Sequence, residues 1–164
     1  RGCGPWEAAG EQPGKGILFP MWSVFERFVA RILAQELTTE SVSAQYSTPL
    51  VIESRESFLI RPDIVISEGG VCRLVIDTKF KSATPTSGDL YQMCAYAGVL
   101  GVKDVMLLYA EPTKPRTLTI SGTGVRVHIR GVDLNDDRDI LVQSVVNTVC
   151  SVRSDLQSAH EFGI

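Results

Sequence analysis

Two carboxylates and one ammonium stand in this sequence where a buried sheet does not ordinarily tolerate charge. Asp63 follows Pro62 at the start of an apolar run, Ile64-Val65-Ile66, and Asp77 and Lys79 end a second run, Leu74-Val75-Ile76. Side chains alternate across a strand, so Asp77 and Lys79 share one face while Ile76, Thr78 and Phe80 take the other. Between the runs lies Glu68-Gly69-Gly70, whose glycines suit positive φ and predict a hairpin. A hairpin brings Asp63 and Asp77 together at one edge of the sheet. That convergence has no packing rationale. Its chemical rationale is a hard divalent cation, which takes oxygen ligands, with a lysine beside it to steady or move a proton.

The elements that must position these groups are legible on either side. Met21 to Leu37 has helical period: Phe25, Phe28, Val29, Ile32 and Leu33 make one face, with Arg27, Arg31 and Gln35 outward. Glu26 sits on the shoulder of that face. It closes a capping box with Ser23, or it is a further metal ligand or water-orienting acid. Val42 to Ile60 reads as short extended pieces broken by Pro49 and by residues 53–57, with Phe58-Leu59-Ile60 running towards Pro62. Pro62 cannot donate to a ladder, so it marks a strand start, a bend or an edge. Arg55 and Arg61 are within reach of a phosphate in principle, but lone arginines are commonly solvated surface.

Past Lys79, Ser82 to Gly88 is a polar loop, with Thr86 or Ser87 as N-cap and Asp89 suited to the helix dipole. On the helix that follows, Leu90, Met93, Cys94, Ala97 and Leu100 form an apolar stripe beside a polar one of Asp89, Gln92 and Tyr96. Gln92 and Tyr96 are either an i, i+4 surface pair or part of the site, where a glutamine amide can both donate and accept. Val105 to Tyr109 reads as a strand buried on both faces and parallel to the one before the helix. Arg116–Ser121 and Val125–Val132 make a second hairpin at Gly122-Thr123-Gly124, in which His128 is structural or surface. Asn135-Asp136-Asp137 opens a last helix with Leu141, Val145, Val149, Val152 and Leu156 on one stripe. The order predicts an α/β domain, a mixed central sheet with helices on both faces.

The chain has 164 residues, 44% hydrophobic and 21% charged, which suits one globular domain with a real core. We expect a tail or linker over 1–20, where Gly and Pro are frequent, the domain over 21–157, and a second tail over 158–164. The first residue is not Met, and the sequence reads as a fragment. No apolar run approaches the roughly 18 residues of a membrane span. Cys3, Cys72, Cys94 and Cys150 form no Cys-x-x-Cys pair, so small core residues in a reducing cytoplasm are expected. With two histidines, neither beside a nucleophile motif, the sequence does not support a Ser/His/Asp or Cys/His enzyme, and no nucleotide-binding Gly-x-x-x-x-Gly-Lys-Ser/Thr loop is present. A net charge of −3 counts against strong unaided binding to nucleic acid and suggests that something else delivers it.

These residues resemble the PD-(D/E)XK nuclease superfamily, with Pro62-Asp63 as the PD and Asp77-Thr78-Lys79 as the (D/E)XK. Gln92 and Tyr96 match the Gln-x-x-x-Tyr element of one large branch. Closer still is the resemblance to McrC, the nuclease subunit of McrBC modification-dependent restriction systems. It runs through MWSVFERFV (21–29), RPDIVI (61–66), LVIDTKFK (74–81) and DLYQMCAYA (89–97), and extends from Met21 to Leu134. The resemblance implies a restriction-endonuclease-like core and a Mg2+-dependent endonuclease, with Mn2+ able to substitute. The implied substrate is double-stranded DNA carrying modified cytosine, and the implied partner is a McrB-like AAA+ GTPase that reads the modification. It further implies that Asp63, Asp77 and the Thr78 carbonyl hold the metal. Lys79 would orient or deprotonate the attacking water, or stabilise developing charge. Gln92 and Tyr96 belong to the site, and Glu26, in the Phe-Glu pair of McrC-like sequences, is a further ligand. Two other readings stay open: a repair or recombination nuclease of the RecB or resolvase sort, and an inactive nuclease fold serving as a docking module.

Overall fold

The computed structural model describes residues 20–53 and 56–161. The expected tail over 1–19, Cys3, Arg55 and the side chain of Leu156 lie outside what is described. Helix α1 (Met21–Glu36) leads to β1 (Ser41–Ala44), then β2 (Thr48–Glu53), β3 (Glu56–Ile60), β4 (Ile64–Glu68) and β5 (Val71–Lys79). Helix α2 (Ser87–Leu100) crosses to β6 (Asp104–Tyr109), followed by β7 (Arg116–Thr119), β8 (Arg126–Gly131) and α3 (Arg138–Glu161).

Six strands form a mixed sheet in the order β1-β4-β5-β6-β8-β7, and β2 and β3 pair separately. The centre, β5-β6-β8, is parallel; β4 on β5 and β7 on β8 are antiparallel. The β4–β5 turn uses Gly69 at φ 57° and Gly70 at φ 81°, the conformation that favours glycine. The crossover through α2 makes β5 and β6 parallel, as the length of the connection requires.

Strand alternation splits the core in two. Ile64, Ile66, Leu74, Ile76, Met106 and Leu108 pack with α1 and α3 on one face. Val75, Val105, Leu107, Tyr109, Val127 and Ile129 pack with Met93, Tyr96 and Ala97 of α2 on the other. Asp77 and Lys79 continue the parity of Val75, so the sheet turns them towards α2. All six residues of β6 are buried, as expected for a central parallel strand. Cys72, Cys94 and Cys150 are half-buried, and no disulfide joins them.

One local expectation is corrected. Pro20 is the N-cap of α1 and no side chain caps it, so Ser23 and Glu26 form no capping box. The helix starts at Met21, which leaves Ser23 inside the first turn, donating its N–H to the Pro20 carbonyl at 2.9 Å. At the other end, α3 runs on to Glu161. Among the described residues, no helix is long and apolar enough to cross a membrane.

Candidate metal centre

The site forms where β3 hands the chain to β4. The ladder pairs Ile64 with Ile76, which sets Asp63 opposite Asp77 one step further on. Asp63 Oδ2 accepts from both the backbone N–H and the hydroxyl of Thr78, each at 2.7 Å. Its own carbonyl accepts from the N–H of Gln45 at 2.7 Å. Backbone and side chain of Asp63 are thus fixed by different elements, the turn after β1 and strand β5. Thr78 is tied to Asp63 through its two donors, the backbone N–H and the hydroxyl.

Asp77 is 3% exposed. Burial pushes its carboxyl up to about 6, the Asp63 charge pushes the same way, and Lys79 opposes both. Lys79 Nζ lies 2.5 Å from Asp77 Oδ2, 3.2 Å from Asp89 Oδ1 and 3.1 Å from Gln92 Oε1. Asp77 Oδ2 is buried, with the Lys79 ammonium as its close neighbour and no well-aligned donor beyond it among the described residues. Burial works to lower the Lys79 ammonium, but Asp77 and Asp89 outweigh it and the net shift is upward.

Gln92 continues the chain of contacts. Its Nε2 donates to Tyr96 Oη at 2.7 Å, and that hydroxyl donates to the carbonyl of Arg61 at 3.0 Å. Polar contacts therefore run from Lys79 through Gln92 and Tyr96 to the residue before Pro62-Asp63. The reading of Gln92 and Tyr96 as a surface pair is corrected: Tyr96 is 4% exposed, with its ring in the core and only its hydroxyl in the network. Burial, then the Asp77 charge, pushes its phenol up to about 12. Tyr96→Phe keeps the ring but strands the Arg61 carbonyl and the Gln92 amide. It should lower stability by about 1–3 kcal/mol, seen as a lower melting temperature.

Glu26 approaches from the α1 side and is 5% exposed. Burial and then the Asp63 charge raise its carboxyl, while a hydrogen bond from the Gln45 side chain works the other way. Gln45, at φ 49°, thus links Glu26 to Asp63, a role with no local signal in the sequence. Asp89 and Lys81 were also missed as site residues. Asp89 is 7% exposed and bonded to Lys81 at 2.7 Å, and the sequence reads it as a helix-start acid on the polar stripe of Gln92 and Tyr96, without a role in the site. His128, by contrast, is structural. It sits 2.7 Å from Asp104 at the start of β6, the end of that strand away from Tyr109 and Lys79, with Thr117 on its other nitrogen.

Among the described residues, no three of His, Cys, Asp and Glu converge as a ready metal-binding group. The donors that do face each other, Asp63 and Asp77, nevertheless fit Mg2+. That ion is commonly held by one or two carboxylates and keeps several waters. The orphaned Asp77 oxygen and the crowding that raises its carboxyl are what a missing positive charge would relieve.

A family model described as McrBC 5-methylcytosine restriction system component matches residues 4–110. No curated protein matches the chain. Among solved structures, similarity is found to a chain of the half-complex from the tetradecameric assembly of Thermococcus gammatolerans McrB AAA+ hexamers with bound McrC. The TM-score is 0.65 at 18% identity, over 84% of this chain and 34% of that one, so the shared property is the fold. The family match spans more than half of the sequence, including Asp63, Asp77, Lys79, Gln92 and Tyr96. This chain therefore belongs to the family of McrBC 5-methylcytosine restriction system components.

Proposed function

We propose that residues 21–157 are a McrC-type nuclease domain that hydrolyses phosphodiester bonds of double-stranded DNA with Mg2+, or with Mn2+ in its place. The observation that carries this reading is the meeting of Asp63, Asp77 and Lys79 at one end of the β4–β5 pair, tied through Gln92 and Tyr96 back to the loop that carries Asp63. Asp63 and Asp77 would hold the ion, with the Thr78 carbonyl and Glu26 as further donors. When bound, Mg2+ supplies Lewis-acid polarisation of the phosphate and a more acidic water.

The chain's own residues do the rest. Thr78 aims the Asp63 carboxylate with two hydrogen bonds. Lys79 is held cationic by Asp77 and Asp89, which favours its orienting water and stabilising developing negative charge over removing a proton. Gln92 fixes the ammonium from α2, and Tyr96 fixes Gln92.

In this reading the modified cytosine is recognised elsewhere, by a McrB-like AAA+ GTPase in the same cytoplasm. A net charge of −3 gives this domain little independent hold on phosphates. By itself the chain should cut DNA weakly and in a salt-sensitive manner, and a cognate GTPase with GTP should raise cleavage of cytosine-methylated DNA. Calorimetric titration with Mg2+ and Mn2+, alongside cleavage assays with and without that partner, tests the reading. Absence of a divalent-ion site overturns it in favour of a docking module. Equal cleavage of unmodified ends or branches without the partner would favour a repair-type nuclease.

A further inference from the structure

We propose that Asp89 is a positioning residue: its carboxylate is the anchor that keeps Lys79 in place when a cation occupies Asp77. The inference rests on the nuclease reading for its purpose, but its geometry stands apart from it. The two oxygens of Asp89 have different partners. Oδ2 accepts from the Thr86 N–H at 2.8 Å, the Thr86 hydroxyl at 2.9 Å and Lys81 Nζ at 2.7 Å, while the Asp89 N–H donates to Thr86 Oγ1 at 3.2 Å. This is the capping box of α2 with one lysine added. Oδ1 faces Lys79 Nζ at 3.2 Å. Helix capping alone needs only one oxygen.

The ammonium has three hydrogens and three neighbouring oxygens: Asp77 Oδ2, Asp89 Oδ1 and Gln92 Oε1. A divalent cation on Asp77 competes with the ammonium for that carboxylate, because two cations repel at such range. What then remains is Asp89 and Gln92, which share one face of α2 at i and i+3. The first two turns of α2 thereby become the holder of Lys79. Burial resists ionisation of Asp89, but Lys81, Thr86 and Lys79 outweigh it and hold the carboxyl well below its usual range, so the anchor is charged whenever the site is used.

The test uses the full chain and reads Lys79 directly. A buried, held ammonium exchanges slowly enough to give a 1H–15N cross-peak, assigned by its loss in Lys79→Ala. In the parent the peak should persist at saturating Mg2+. In Asp89→Asn it should persist without metal, where Asp77 still holds Lys79, and vanish on adding Mg2+. Lys81→Ala removes the ammonium on Oδ2, and Thr86→Ala removes the hydroxyl that donates to Oδ2 and accepts from the Asp89 N–H; neither touches Oδ1, so both should keep the peak with Mg2+ even where the cap loss lowers the melting temperature. In partner-stimulated cleavage, Asp89→Asn should lower kcat about 10²-fold with KM little changed, as expected for a displaced reacting group, and Asp89→Glu should recover part of it. The proposal is overturned if Asp89→Asn keeps the peak with Mg2+, if the parent loses it, or if Thr86→Ala matches Asp89→Asn in kcat. A parent that binds Mg2+ but never cleaves defeats the nuclease reading, and the cross-peak still decides the anchor.

Discussion

Asp77→Asn should melt higher than the parent in the absence of metal, while losing both Mg2+ binding and cleavage. The ionised carboxylate is a burden on the metal-free fold: it is buried, it faces Asp63, and one of its oxygens has no well-aligned donor beyond Lys79 among the described residues. Its carboxyl rises from 3.8 to about 6, so the folded chain holds this proton more tightly than the unfolded chain does. The stability this gives is fully present below about pH 4 and is lost as the pH rises through about 6. A displacement of that size corresponds to about 3 kcal/mol at neutral pH. An amide carries no such charge, so Asp77→Asn should flatten the fall in melting temperature between pH 4 and 6. At pH 7 a rise of a few degrees is expected, since Lys79 loses a partner in the exchange. Melting curves from pH 4 to 7, with calorimetric Mg2+ titration at pH 7, check this. If the variant melts lower without metal, or binds metal like the parent, Asp77 is a structural acid and the nuclease reading loses its centre.

Lys79→Ala should separate metal binding from cleavage. Its side chain is 17% exposed and offsets the charge of both Asp77 and Asp89. Removing it leaves those carboxylates facing each other's field without the shared cation, which should lower metal-free stability by about 3 kcal/mol or more. The same removal frees the Asp77 oxygen from a competing cation, so Mg2+ affinity should hold or improve. Cleavage should fall about 10²–10⁴-fold, the usual contribution of a group that moves protons or stabilises charge in the transition state. Calorimetry, melting curves and partner-stimulated rates on one preparation decide it. A variant that loses Mg2+ affinity along with activity would make Lys79 a structural partner of the ligands.

Much of this architecture is written locally. The β4–β5 hairpin is legible because Gly69 and Gly70 accept positive φ and the flanking apolar runs alternate. Thr86 marks the start of α2 because a hydroxyl at that position satisfies a helix donor within three residues. Asp63, Asp77 and Lys79 stand out because charge at the end of an apolar run demands a partner, and parity alone puts two of them on one face. The sequence by itself thus determined the hairpin, the helices and the three charged groups at one end of that hairpin.

Tertiary structure decided what those groups touch. Helical period sets Asp89, Gln92 and Tyr96 in line, but it does not say how far the line is rotated into the core. Packing of Met93 and Ala97 against the sheet buries the Tyr96 ring and leaves only its hydroxyl for the Arg61 carbonyl. A helix-start acid reads the same whether or not a lysine of a neighbouring strand meets its second oxygen, and only the docking of α2 beside β5 brings Lys79 there. Glu26 became a neighbour of Asp63 because α1 begins at Met21 and its side chain meets Gln45, across a separation that no local pattern records. Contacts within a turn or a hairpin depend on neighbouring residue types, whereas contacts between elements depend on how whole apolar faces are satisfied at once. That is why the acids and the lysine were visible in the chain, and the network that holds them was visible only in the fold.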